Sequence, residues 1–192
     1  MRDPALGHLL ALDMVALDPS VRSAGVAIFR AGVLTDATTI KMKPTEDEYP
    51  PARCLRMAND IVDWVVDRNA RPRVLAVEWP GKSWRGDARD LHGLAGVAGA
   101  VAGMLSLASI ANGSALSCIS AEAPEWTGGL PKSTTSKGYS TSARALRICS
   151  KLTNREMLVW ETLTSHDVID AIGLGLWVLG RFDVKHIYPG AS

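Results

Sequence analysis

Five short apolar runs along the chain have the length and residue content of β-strands. The first three follow one another closely and are Leu9–Leu17, Ala24–Phe29 and the stretch "GVLTDATTIKMK". Their Val, Ile and Thr residues favour strands, and the short "RAG" before the third predicts a hairpin. Two further runs, "RVLAVEWPG" and "SALSCISA", come later in the chain, each after a helical segment. The pattern therefore predicts a sheet of five strands.

Apolar residues elsewhere recur at the three- and four-residue steps of a helix. This spacing predicts a helix from Ala52 to about Asn69, a Gly/Ala-rich helix over about Ala88–Ser109, a short one in "STSARALRICSKL" and a final one in "HDVIDAIGLGLWVLG". Thr164 or Ser165 would cap the last of these. The segments "EAPEWTGGLPKSTTSKGYS" and "NREMLVWETL" give no clear periodicity. The order of elements predicts an α/β fold, a central mixed five-stranded sheet flanked by helices. We interpret residues 1–192 as one domain.

Bulk composition narrows the class of protein without deciding it. A chain of 192 residues with 47% apolar and 21% charged residues is typical of one globular domain. A net charge of +1 gives no large basic field, although a local patch is enough to bind nucleic acid. Three cysteines without metal-ligand spacing fit free thiols in a reducing cytosol, so a cytoplasmic location is expected.

One long segment is apolar enough to suggest a membrane span. From Leu91 to Ala121 the chain has no Asp, Glu, Lys or Arg. It is rich in Gly, Ala and Ser, however, and is interrupted by His92 and Asn112. This composition favours a tightly packed soluble helix followed by a buried strand over a span of the bilayer.

Two of the predicted strands end in a carboxylate. Asp18 follows the first strand, and Glu78 follows the fourth. An acid in "LDPSV" also suits a simple turn cap, because Asp, Pro and Ser are common turn residues. In open α/β sheets, however, ligands gather beyond the carboxyl ends of the strands. Two acids placed there indicate a candidate site.

Asp167 and Asp170 supply a third acidic element, at the start of the last helix. Three residues apart, they share one helix face. The positive end of the helix dipole explains Asp167, but Asp170 borders the wholly apolar Ala171–Leu179. A buried acid requires a partner, and a cluster of carboxylates would raise the pKa values of its members. A pair of Mg²⁺ or Mn²⁺ ions, which prefer oxygen ligands, would satisfy both requirements.

These motifs, taken in order, resemble the RuvC-type Holliday junction resolvases of the RNase H-like nuclease superfamily. The resemblance rests on "LDPSVRSAGVAI", "VLAVEWP" and "HDVIDAIGLGLW", and it covers roughly Leu9 to Leu179. It implies a structure-selective endonuclease that cuts branched DNA such as four-way junctions. Four acids would hold two metal ions that activate water and stabilise the leaving 3′ oxygen: Asp18 (the bridging ligand), Glu78, Asp167 and Asp170. A phage origin would suit the short chain.

The resemblance also implies further residues and a partner subunit. A lysine close to the scissile phosphate matches Lys137, with Lys132 as the alternative, or either is a solvated loop residue. Both lysines and several other basic or aromatic residues are candidates for DNA contacts, by phosphate binding or base stacking. Simple solvation or local packing is the alternative for each of them: Lys132, Lys137, Arg85, Arg89, Arg144, Arg147, Trp79, Trp84 and Trp126. The resemblance implies a homodimer, with two active sites placed to cut two opposed strands symmetrically. The glycines of the Gly/Ala-rich helix predict close packing on its own sheet, on a second copy, or on both: Gly93, Gly96, Gly99 and Gly103.

Three other functions remain open from the sequence. An actin-like or sugar-kinase ATPase begins with a similar acid-bearing hairpin, but its further glycine-rich phosphate loops are not visible here. A non-catalytic junction-binding protein would not need all four acids. Another RNase H-like nuclease, acting on flaps or RNA–DNA hybrids, would share the same acids, because loops and dimer geometry determine the substrate.

Overall fold

The computed structural model describes residues 12–43, 50–80, 88–127, 143–163 and 165–182. Within these ranges the chain forms five strands and six helices. The strands are β1 (Met14–Asp18), β2 (Ser23–Arg30), β3 (Val33–Lys41), β4 (Val74–Glu78) and β5 (Ser117–Ala121). The helices are α1 (Pro50–Asp67), α2 (Ala88–Ala111), α3 (Ala123–Thr127), α4 (Ala143–Cys149), α5 (Asn154–Trp160) and α6 (His166–Val178).

The strands form one mixed sheet in the order β3-β2-β1-β4-β5. β1 pairs antiparallel with β2 and parallel with β4, so it occupies the centre of the sheet. The turn between β2 and β3 is tight, since Ala31 and Gly32 both have positive φ, as hairpin turns require. The α/β fold with a mixed five-stranded sheet, predicted from the apolar runs, is confirmed.

Each face of the sheet carries its own hydrophobic core. Successive strand residues point to opposite faces, and β1 divides accordingly: Met14 and Ala16 pack with α6, whereas Val15 and Leu17 pack with α1 and α2. Helix α6 buries ten of its thirteen residues, which makes it the most enclosed helix among those described. The face of the sheet covered by α6 is called the α6 face below.

The apolar segment after Leu91 is less enclosed than its sequence predicts. Residues Leu91–Ala111 of α2 are long and apolar enough to cross a membrane by composition, with 28% of that stretch buried. The helix packs on α1 and contributes Val97, Val101 and Leu105 to the core. The prediction of a buried strand after it is wrong, because β5 lies at the sheet edge with three of its five residues exposed.

Two helices in the segments without periodicity were not predicted. Helix α3 is only five residues long. Helix α5 begins with a capping box, in which Thr153 and Glu156 satisfy each other's backbone N–H groups. Glu156 is fully buried and also accepts hydrogen bonds from the Leu34 backbone N–H at 2.8 Å and from both terminal nitrogens of Arg181. These contacts join α5, β3 and the residues after α6.

Candidate active site

The two strand-end acids lie side by side on the α6 face. Leu17 of β1 pairs with Val77 of β4 in the parallel ladder, so Asp18 and Glu78 follow at neighbouring strand ends. Neighbouring strands are about 4.8 Å apart. The strict alternation of the strands turns both side chains toward the α6 face, the side opposite Leu17 and Val77.

Asp167 reaches the same place because α6 starts directly over β2. Gly25 is the β2 partner of Asp18, and a Cβ atom at Gly25 would overlap the backbone carbonyl of Asp167. Only glycine allows this approach of helix to strand. The Asp167 carboxylate accepts a hydrogen bond from Ser23 Oγ at 2.5 Å and lies 3.0 Å from His166 Nε2. Ser165 caps α6, as the sequence predicts for one of two candidates.

Asp170 lies one turn further along α6 and is almost completely buried, with 1% of its surface exposed. Arg144 Nη1 donates to its Oδ1 at 3.0 Å and to its Oδ2 at 3.2 Å. Arg144 is itself only 7% exposed, so this ion pair is shielded from water. The partner that a buried acid requires is therefore supplied, at least in part, by a guanidinium of the same chain.

Glu78 is held by an aromatic residue. The Nε1–H group of Trp126 donates to Glu78 Oε2 at 2.9 Å. Trp126 is fully buried, and the guanidinium of Arg144 lies over its ring, 5.5 Å from the centroid. Trp126 and Arg144 thus connect Glu78 to Asp170.

Two of the residues predicted to contact DNA, Trp126 and Arg144, point into the protein. Neither Trp126 nor Arg144 presents the exposed surface that base stacking or phosphate binding requires, because both side chains turn inward onto the acids. The signal that could have indicated this is Gly173 in "AIGLGLW", since a glycine within an apolar helix often allows another side chain to approach closely. Trp79 is 41% exposed and Arg147 is half-buried, so both have surface to offer.

The remaining predicted contacts cannot be placed. Trp84, Arg85, Lys132 and Lys137 lie outside the described residues, and so does the side chain of Arg89. The basic patch and the lysine near the scissile phosphate remain predictions. Ser23, the hydroxyl partner of Asp167, is a site residue that the sequence analysis did not single out.

The acids fit a divalent cation in chemistry but are not arranged as a finished ligand cluster. Hard cations such as Mg²⁺ and Mn²⁺ take carboxylate oxygens, which all four acids offer. Within the described ranges, however, no three His, Cys, Asp or Glu side chains are gathered closely enough to hold one ion. The carboxylates of Glu78, Asp167 and Asp170 instead contact Trp126, Ser23 and Arg144. Metal binding at this site would require the four acids to come closer together than they are here.

A cavity of about 700 Å³ lies away from the acids, between α1 and α2 on the opposite face of the sheet. Its walls include Arg22, Arg53, Cys54 and His92. Burial raises the pKa of the Cys54 thiol, outweighing the nearby charge of Arg53 that lowers it. None of the predicted metal ligands lines this cavity.

Comparison with solved structures identifies the fold. RuvC from Thermus thermophilus in complex with a Holliday junction superposes with a TM-score of 0.56 and 13% identity, over 90% of this chain and 97% of that one. A second Thermus thermophilus RuvC structure gives 0.55 and 14%, over 88% and 96% of the two chains. This chain has the RuvC fold.

A eukaryotic structure gives the same result. The yeast mitochondrial Holliday junction resolvase Ydc2 superposes with a TM-score of 0.54 and 11% identity, over 97% of this chain and 90% of that one. No protein-family model and no curated protein sequence matches the chain. None of the three similar structures supports a phage origin, since they come from a bacterium and from yeast mitochondria.

Proposed function

We propose that this protein is a metal-dependent endonuclease that resolves Holliday junctions and related branched DNA. The observation that carries the proposal is the placement of four acids on the RuvC fold. Asp18 and Glu78 lie at neighbouring strand ends, and α6 brings Asp167 and Asp170 over the same face. The similar structures include a RuvC bound to a Holliday junction, which indicates the substrate class.

In the proposed mechanism the acids hold two Mg²⁺ or Mn²⁺ ions, which would activate a water molecule and stabilise the leaving 3′ oxygen. Asp18, on the central strand, would be the shared ligand, with Glu78 and Asp167 on either side of it. Ser23 orients Asp167 through its hydrogen bond to Oδ2. Asp170 would join the ligand set when Arg144 releases it. Lys137, or else Lys132, would stabilise charge on the phosphoryl oxygens.

We also propose that the active form is a homodimer that pairs through α2. Of the four glycines on this helix, Gly93 and Gly96 pack against Val21 and Cys54 of the same chain, whereas Gly99 and Gly103 have open space around them. Leu107 and Ile110, further along the helix, are 70% and 67% exposed. A second copy covering this surface would bury the exposed apolar side chains. Two active sites related by a twofold axis suit symmetric cuts in two opposed strands.

The three free cysteines fit a cytoplasmic location.

The test is a nicking assay on a four-way junction, with linear duplex, flap and RNA–DNA hybrid substrates alongside. We expect Mg²⁺- or Mn²⁺-dependent cleavage of the junction, and Asp18→Asn should abolish it while leaving junction binding intact. Asp13→Asn is the matched control, because Asp13 is half-buried just before the other end of β1, away from the acids. Wild-type protein that cuts no junction with either ion would refute the proposal, as would full activity in Asp18→Asn. Preferential cleavage of flaps or RNA–DNA hybrids would show that the protein is another kind of RNase H-like nuclease.

A further inference from the structure

Trp126 contacts the proposed metal site from inside the protein. Its ring is fully buried, and its only polar atom, Nε1, donates to Glu78 Oε2 at 2.9 Å. A buried indole N–H normally finds a hydrogen-bond partner. Here the partner is a carboxylate that the proposed reaction uses as a metal ligand, and not a backbone carbonyl of the core.

Helix α6 has a notch that receives this ring. A Cβ atom at Gly173 would lie 2.6 Å from Cζ3 of Trp126 and 2.6 Å from Cδ1 of Ile148. Such distances are far shorter than a normal contact between carbon atoms. Gly173 lies one turn after Asp170 on the same helix, so the notch fixes the ring relative to the last two acids of the site.

Arg144 restrains Trp126 by an electrostatic contact. The guanidinium of Arg144 lies 5.5 Å from the centre of the Trp126 ring and donates to Asp170 at 3.0 Å. The cation–π contact adds to the restraint that the notch imposes. Trp126 is therefore held by α6, by Ile148 and by Arg144, and it transmits that restraint to Glu78.

We propose that Trp126 is a positioning residue, which fixes the Glu78 carboxylate for metal binding and does not touch DNA. This inference rests on the proposed function. A glutamate side chain has several rotamers, and a fixed donor to Oε2 selects those that keep the carboxylate at the end of β4. Partners that orient a metal ligand from behind typically change metal affinity by about 10–100-fold when removed.

Trp126→Phe tests the inference, because it keeps an aromatic ring in the Gly173 notch and removes only the Nε1–H donor and part of the ring. We expect the dissociation constant for Mn²⁺, measured by electron paramagnetic resonance without DNA, to rise about tenfold or more. The nicking rate at saturating Mn²⁺ should fall far less than the rate at limiting Mn²⁺. Trp64→Phe is the control, since Trp64 packs with Arg68 on α1, against the core of the opposite face.

A second measurement does not depend on how the variant folds. In an indole ¹H–¹⁵N spectrum of the wild-type protein, the assigned Trp126 signal should shift on addition of Mg²⁺, and Glu78→Gln should abolish that shift. The inference would be overturned if folded Trp126→Phe bound Mn²⁺ with unchanged affinity, or if the Trp126 signal did not shift with Mg²⁺. The proposed function would still stand in that case, provided that the wild-type protein binds metal and cuts junctions. A wild-type protein that neither binds Mn²⁺ nor cuts junctions would overturn both.

Discussion

Glu156, in the first turn of α5, has a fully buried carboxylate. Burial raises the pKa of Glu156, but hydrogen bonds from Arg181, Leu34 and Thr153 outweigh burial and lower the pKa from 4.5 to about 2. Because the pKa is lower in the folded protein than in the unfolded chain, ionised Glu156 stabilises the fold. This contribution is complete above the unfolded pKa and is lost as the pH falls through the folded pKa.

The size of the effect follows from the shift. Lowering the pKa of Glu156 from 4.5 to about 2 corresponds to roughly 3 kcal/mol near neutral pH, and linkage leaves about 1 kcal/mol of it at pH 3. Glu156→Gln removes the charge and keeps the shape, so we expect it to lower the free energy of unfolding by about 3 kcal/mol at pH 7. The gap between wild-type and variant should then narrow by about 2 kcal/mol at pH 3.

Urea unfolding followed by circular dichroism at several pH values between 3 and 7 measures this gap. Acids shared by the two proteins cancel in the difference, so the pH dependence of the gap isolates residue 156. Glu161→Gln is the control, because Glu161 is exposed at the other end of α5. A difference in unfolding free energy that stays constant between pH 7 and pH 3 would show that the hydrogen-bonded charge of Glu156 does not supply the stability.

Two further predictions concern the active-site ion pair and the proposed dimer. Arg144→Met should lower the free energy of unfolding by about 3–5 kcal/mol in urea, because it removes a buried partner of Asp170. Arg147→Met, a half-buried position on the same short helix, should lower it clearly less. Equal losses in the two variants would contradict a special role for the Arg144–Asp170 ion pair. Leu107→Arg should convert the dimer to a monomer, measured by light scattering after gel filtration. Leu158→Arg on α5 is the control and should leave the dimer intact, because Leu158 is 68% exposed and Leu107 is 70% exposed. A dimer that persists in Leu107→Arg would place the interface elsewhere.

The features that the sequence predicts well are those that depend on local residue patterns. Val, Ile and Leu runs locate the strands, and the alternation within β1 and β4 is enough to turn Asp18 and Glu78 toward one face. Helix α6 follows from its cap at Ser165 and its continuous apolar stretch. Each of these signals depends on residues close together in the chain.

Features that depend on long-range packing could not be predicted in the same way. Trp126 lies in a segment without periodicity and Arg144 in a short predicted helix, and nothing near either residue in the sequence indicates that its side chain points inward. The exposure of β5 depends on its position as the last strand of the sheet, which a short apolar run does not encode. Glu156 and Arg181 form an ion pair although they are 25 positions apart in the chain. The residues around each of them do not indicate that α5 packs against the segment after α6.

The position of Arg144 changes the electrostatic argument for the metal site. From the sequence, four clustered carboxylates require a compensating positive charge, and two divalent ions would supply it. The structure supplies one positive charge from the protein itself, next to Asp170 in surroundings with little water to screen it. Arg144 and an ion bound through Asp170 would therefore compete for the same carboxylate, and the occupancy of that position depends on both. Any ion that occupies it must offset the loss of a buried ion pair, so we expect the positions formed by Asp18, Glu78 and Asp167 to fill first.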